Sequence, residues 1–84
     1  GEAKWASPDS IFSYYGSEAE TRGHVAGILG RSRRTGQDPY DLLDRDMQTI
    51  MMKALDRGYK EKQIIPILQN IYTKWSQHLE DQTK

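Results

Sequence analysis

The chain has no cysteine in its 84 residues, which excludes disulfides, thiolate nucleophiles and cysteine-held metals and leaves no hint of redox compartment. No apolar run approaches the roughly 18 residues of a membrane span, and the first residues lack the hydrophobic segment of a secretory signal. A cytoplasmic protein is therefore the default expectation. Formal net charge is zero, from 12 basic and 12 acidic residues, without the basic excess usual in a dedicated nucleic-acid binder. Apolar residues make up only 36%, against roughly 45–50% (glycine counted) in globular domains. The core must be modest. No phosphate-binding glycine loop, zinc spacing or nucleophile motif appears, so the expectation is a non-catalytic domain without cofactor or metal.

What is present is helical patterning, strongest from Asp38 to Leu79. Leu43, Met47, Ile50, Met51 and Ala54 fall at three- and four-residue spacings, on one helical face. Ile64, Leu68, Ile71 and Trp75 repeat the pattern after the turn Asp56-Arg57-Gly58-Tyr59. Asp38-Pro39 is a cap followed by a proline suited to the first helical position. Gly58 fits the left-handed residue past a helix end, with Tyr59 folding back toward Ala54 or Leu55. The next helix should begin near Lys60 or Glu61. Pro66 lies inside its pattern and predicts a kink, or a short first turn with the main helix from about Ile65.

The first third is weaker. Ser7-Pro8-Asp9 starts a short helix that Gly16 stops, and Ser17 to Glu20 has capping-box spacing for a second. That helix carries Val25, Ile28 and Leu29 together with Gly23, Gly27 and Gly30, each interior glycine costing up to about 1 kcal/mol relative to alanine. Gly30 to Gln37 reads as a polar basic loop. The prediction is an all-α bundle of three to four helices with a helical hairpin at residues 39–79. It forms one domain over 1–84, frayed at 1–6 and 80–84, and a fragment of a larger protein, with Gly1 read as a tag scar.

Two basic groups are the candidate nucleic-acid contacts. Arg31, Arg33 and Arg34, with Arg22 nearby, could follow a phosphate backbone while Ser32 and Thr35 donate hydrogen bonds. The bland alternative is a solvated segment neutralised by Asp38, Asp41 and Asp44. Lys53, Arg57, Lys60 and Lys62 form a second group at the helix–turn–helix corner. That corner has the shape of a major-groove reader, but the following helix is apolar at Ile64, Ile65, Ile67 and Leu68, which favours an ordinary hairpin. Tyr14 and Tyr15 could suggest strand-transfer nucleophiles, yet only His24 and His78 are available to hold a metal, so packing of Phe12 and Tyr15 is the better account. Asp41, Asp44 and Asp46 lack completing ligands and read as a dipole-compensating face. Met47, Met51 and Met52 fit core filling or an adaptable binding surface, and Trp5 and Trp75 are anchors that could join the terminus to the last helix.

The stretch from Asp44-Arg45-Asp46 through Ala54-Leu55-Asp56-Arg57-Gly58-Tyr59 to Ile64-Ile65 resembles a helical segment that follows the catalytic domain of plasmid mobilisation relaxases and replication primases. It departs from that pattern at Lys60, where a serine or threonine cap is usual, and at Pro66. The resemblance implies a small accessory bundle that engages DNA, with Lys53, Arg57, Lys60 and Lys62 as the matching surface and catalysis in another domain. The alternative expectation is a protein-interaction or scaffolding module, whose partner is the remainder of its parent protein or another protein. No membrane partner is expected.

Overall fold

The computed structural model describes residues 8–83, which form an all-α bundle of four helices with no strand among them. They are α1 (Pro8–Tyr15), α2 (Glu18–Thr35), α3 (Pro39–Asp56) and α4 (Glu61–Thr83). The expectations for Gly1, Trp5, the Ser7 cap and fraying at 1–6 fall outside the described residues. Among the described residues, no helix is long and apolar enough to cross a membrane.

Most helix ends lie where the local chemistry puts them. Gly16 closes α1, its N–H donating to the Phe12 carbonyl at 2.7 Å. Ser17 is extended and its hydroxyl oxygen accepts from the Glu20 N–H at 3.3 Å, opening α2. Asp38 caps α3 by accepting the Tyr40 N–H at 2.8 Å, with Pro39 in the first turn. At the other end of α3, Gly58 has φ 94°. Its N–H donates to Leu55 at 3.0 Å, and the Tyr59 N–H folds back to Ala54 at 3.2 Å. This paired return is the Schellman arrangement, and it stops the helix cleanly.

Two boundaries differ from expectation. The Gly30–Gln37 stretch is not a basic loop, because α2 remains helical through Thr35 and places Arg31, Arg33 and Arg34 on its last turns. Gly30 is an interior residue; the stop is Gly36, with φ 74° and its N–H donating to Ser32 at 2.8 Å. The Ser32 hydroxyl donates to the Gln37 carbonyl at 2.6 Å and fastens the exit. Arginines in that final turn suit the negative end of the helix dipole, so their composition favours helix as much as loop. Pro66, in turn, lies inside α4, which is one helix from Glu61, so of the two expectations at this proline the separate first turn is the one that does not hold. The missing N–H deprives the Lys62 carbonyl of its helical partner, but Lys62 and Pro66 are both exposed, so water can replace it. Lys60 has no capping hydroxyl; Gln63 supplies the reciprocal half of the box, its side-chain oxygen accepting the Lys60 N–H at 2.9 Å.

Helix α4 packs against all three others. Its 23 residues extend about 34 Å, close to the 36 Å long axis of the molecule. Leu43, Met47, Ile50 and Ala54 of α3 meet Ile64, Ile71 and Trp75 of α4 in the core, joined by Ile11, Val25 and Ile28. Met51 and Leu68, expected in the same stripes, are only half-buried and sit at its margin. Trp75 is fully buried. Its indole N–H donates to the Tyr15 carbonyl at 3.0 Å, and the adjacent Lys74 ammonium donates to the Gly16 carbonyl.

A β-carbon at Gly23 or Gly27 would meet nothing within 4 Å, whereas Gly58 occupies the left-handed region. Gly23→Ala and Gly27→Ala should therefore each stabilise the protein by about 0.5–1 kcal/mol, and Gly58→Ala should destabilise it by about 1–2 kcal/mol. Urea unfolding of the three variants checks both signs.

Candidate nucleic-acid interface

Helices α2 and α3 are joined by the short connection Gly36–Asp38, which makes them antiparallel neighbours. The arginine end of α2 consequently lies beside the start of α3, while the Lys53–Lys62 corner lies at the far end of α3. Eighteen residues of α3 separate these ends by about 27 Å. The two basic groups do not merge into one patch.

The structure instead regroups some of their members. A groove of about 140 Å³ between α2 and α3 is lined by Arg31, Asp46, Thr49, Lys53, His24 and Tyr15. Arg31 reaches across it to the Asp46 carboxylate at 3.2 Å, with the second oxygen at 3.3 Å. Arg57 folds back along α3, its guanidinium 3.5 Å from the Lys53 carbonyl. It also lies close enough to Tyr15 to oppose the rise in that phenol's pKa. Thr49, Lys53 and Arg57 recur every four residues, so they form one row rising about 6 Å per step. Arg31, Lys53 and Arg57 thus share the α2–α3 edge.

The remaining candidates go elsewhere. Arg33 lines a cleft of about 360 Å³ between α2 and α4, with Arg22, His78 and Gln82 over Val25 and Leu29. Arg34 is exposed on the last turn of α2, and Lys60 and Lys62 are exposed around the start of α4. Among the described residues, Arg33, Arg34, Lys53, Lys60 and Lys62 form no ion pair. Arg31 pairs with Asp46, and Arg22 with Glu18. Asp46, rather than Asp38, Asp41 or Asp44, is the carboxylate that meets the arginines. No group of histidines and carboxylates able to hold a metal occurs among the described residues.

His24 is half-buried rather than metal-bearing. Its ring lies flat on Trp75, 4.5 Å between centroids and 17° from parallel, at the floor of the groove. Only the meeting of α2 with α4 creates that stack, and no local signal announces it. Tyr14 and Tyr15 touch edge to face at 4.8 Å. The Glu20 carboxylate, by hydrogen bond and by charge, raises the Tyr14 pKa. Burial raises that of Tyr15, with Tyr14 and Glu20 adding to the effect. Both shifts disfavour the phenolate, the opposite of what an activated tyrosine nucleophile needs.

No known protein family, curated protein or solved structure matches this chain. The resemblance carried by Asp44 to Ile65 therefore rests on those residues alone.

The raised pKa of Tyr15 has a defined pH consequence. The unfolded chain loses its phenolic proton near pH 10.0, before the folded chain does. Stability held below that pH is therefore lost as pH rises through the folded value. Tyr15→Phe should flatten this alkaline fall relative to the parent protein in urea unfolding between about pH 8 and 11. An unchanged profile would assign the titration to another group.

Proposed function

We propose that this domain is a non-catalytic accessory module of a cytoplasmic DNA-processing protein, contacting nucleic-acid phosphates along the α2–α3 edge. The observation that carries the reading is the meeting of Arg31 of α2 and Lys53 of α3 on one groove, with Arg57 one turn beyond Lys53 at the end of α3. Cations in a row at helical-turn spacing suit a polyanionic strand. The contact is to backbone rather than to bases, because the groove offers no free asparagine, glutamine or arginine fork for base edges. The Thr49 hydroxyl in the groove already donates to the Arg45 carbonyl at 3.0 Å. Arg33, Arg34, Lys60 and Lys62 can add only peripheral attraction from other faces.

Magnitude limits the role. Asp46 neutralises Arg31 until a phosphate displaces it, and three cations engage at most three phosphates. Each contributes a slope of about −0.9 in log affinity against log salt on duplex DNA. The total, about −2 to −3, describes a weak auxiliary contact. It accords with the resemblance to segments that follow the catalytic domain of mobilisation relaxases and replication primases, where chemistry would belong to the rest of the protein.

Fluorescence anisotropy with labelled single- and double-stranded oligonucleotides tests this. Duplex binding should weaken between about 50 and 200 mM salt with the slope given above. Lys53→Gln combined with Arg57→Gln should remove roughly two units of it, while Arg33→Ala with Arg34→Ala should change it less. Undetectable binding at low ionic strength, or affinity insensitive to salt, would refute the reading.

A further inference from the structure

One titratable side chain of the α2–α3 groove has no role in the three-cation contact. The His24 imidazole lines that groove with Arg31, Asp46 and Lys53. It is half-buried, and the Trp75 indole covers one face of its ring. The Tyr15 ring stands 5.9 Å away between centroids. Imidazole N–H bonds lie in the plane of the ring, so a ring stacked flat cannot spend them on the indole beneath it. Among the described residues, His24 makes no hydrogen bond or ion pair. Charges of both signs surround it. On α2, Glu20 lies one turn before it and Arg31 two turns after. On α3, Asp46 and Lys53 share its groove, and Arg57 lies one turn beyond Lys53. On α4, Lys74 is turned to the Gly16 carbonyl. Tyr14 and Tyr15 of α1 stay neutral at neutral and acid pH. Glu20 and Asp46 favour an imidazolium at this place, whereas Arg31, Lys53, Arg57 and Lys74 oppose it. A phosphate set among those cations moves the balance toward the imidazolium.

We propose that His24 is a further phosphate-binding residue of the α2–α3 edge, engaging the nucleic-acid backbone in its imidazolium form. The inference rests on the phosphate-contact reading and adds to it a dependence on pH. Imidazole is the side chain whose charge changes between about pH 5 and 8. A neutral ring offers a phosphate one N–H donor. The imidazolium offers two together with a charge, and charge-assisted hydrogen bonds are the stronger ones. The indole under the ring favours the same form, because the quadrupole of a tryptophan face attracts a cation. Size selects the group that enters. The groove's volume of about 140 Å³ is below the roughly 300 Å³ at which pockets for drug-sized ligands begin. It therefore takes a phosphoryl group and leaves sugar and base outside. Linkage makes the effect reciprocal: acid strengthens binding, and bound phosphate holds the proton on His24 to higher pH.

Anisotropy titrations at about pH 5.5 and about pH 7.5 test the proposal, with oligonucleotides lacking terminal phosphates, because a phosphate monoester itself titrates near about pH 6. Duplex affinity at low salt should rise about tenfold on going to the lower pH, and the salt slope should steepen by about one unit. His24→Gln and His24→Phe, the second keeping an aromatic ring on Trp75, should each abolish the rise while circular dichroism shows the fold retained. His78 is the other of the two histidines and lines the α2–α4 cleft, so His78→Gln should leave the rise unchanged. In the parent protein, NMR should show the His24 ring protons titrating at higher pH with the oligonucleotide than without it, a readout that needs no variant. Equal affinity at the two pH values, a rise that survives both His24 variants, or a His24 titration unmoved by oligonucleotide would overturn the proposal and leave the phosphate-contact reading standing. Undetectable binding at both pH values would refute the two together.

Discussion

Trp75 is the residue on which the arrangement of the helices depends. A chain with a 36% apolar content has few large side chains to bury, and this one is 0% exposed. Its indole joins three helices at once: Tyr15 of α1 supplies the carbonyl for its N–H, His24 of α2 covers its face, and α4 carries it. Truncating a buried tryptophan costs about 3–5 kcal/mol, several times what a partly exposed ion pair such as Arg31–Asp46 contributes, about 0–1 kcal/mol. The Trp75 junction of α1, α2 and α4 therefore contributes more than the Arg31–Asp46 pair between α2 and α3. Lys74 strengthens the same junction one residue earlier by donating to the Gly16 carbonyl.

That commitment decides which surfaces remain for partners. Helix α4 packs against three neighbours through Ile64, Ile67, Ile71, Trp75 and Leu79. Among the described residues, helix α3 packs against α2 and α4. Toward α2 it presents Lys53 and Arg57 beside Arg31; away from α2 it presents Met51, Met52 and Leu55.

The sequence was most legible where a local rule governs. Asp38-Pro39, Ser17 with Glu20, and Gly58-Tyr59 each act within a few residues, and each marks its boundary correctly. The α3 and α4 stripes were legible for the same reason, since periodicity is a property of one helix. Glycine misled at Gly30, because composition does not reveal which glycine takes the left-handed conformation; Gly36 does. Contacts between helices were the part the sequence hid. Arg31 with Asp46, and His24 on Trp75, follow from how α2 settles on its neighbours, and neither spacing nor residue type announces them. The seven basic candidates read as two segments in sequence, whereas packing sorts them by helical face, sending Arg31 and Arg33 to different grooves.

Hydrogen exchange of the Trp75 indole proton tests the role of this clamp most directly. If the bond to Tyr15 holds the bundle together, that proton exchanges only through global unfolding. Its exchange free energy should then equal the stability obtained from urea unfolding. Fast exchange of the indole proton while the α4 backbone amides around Ile71 stay protected would contradict the account, since the core would then persist without the clamp.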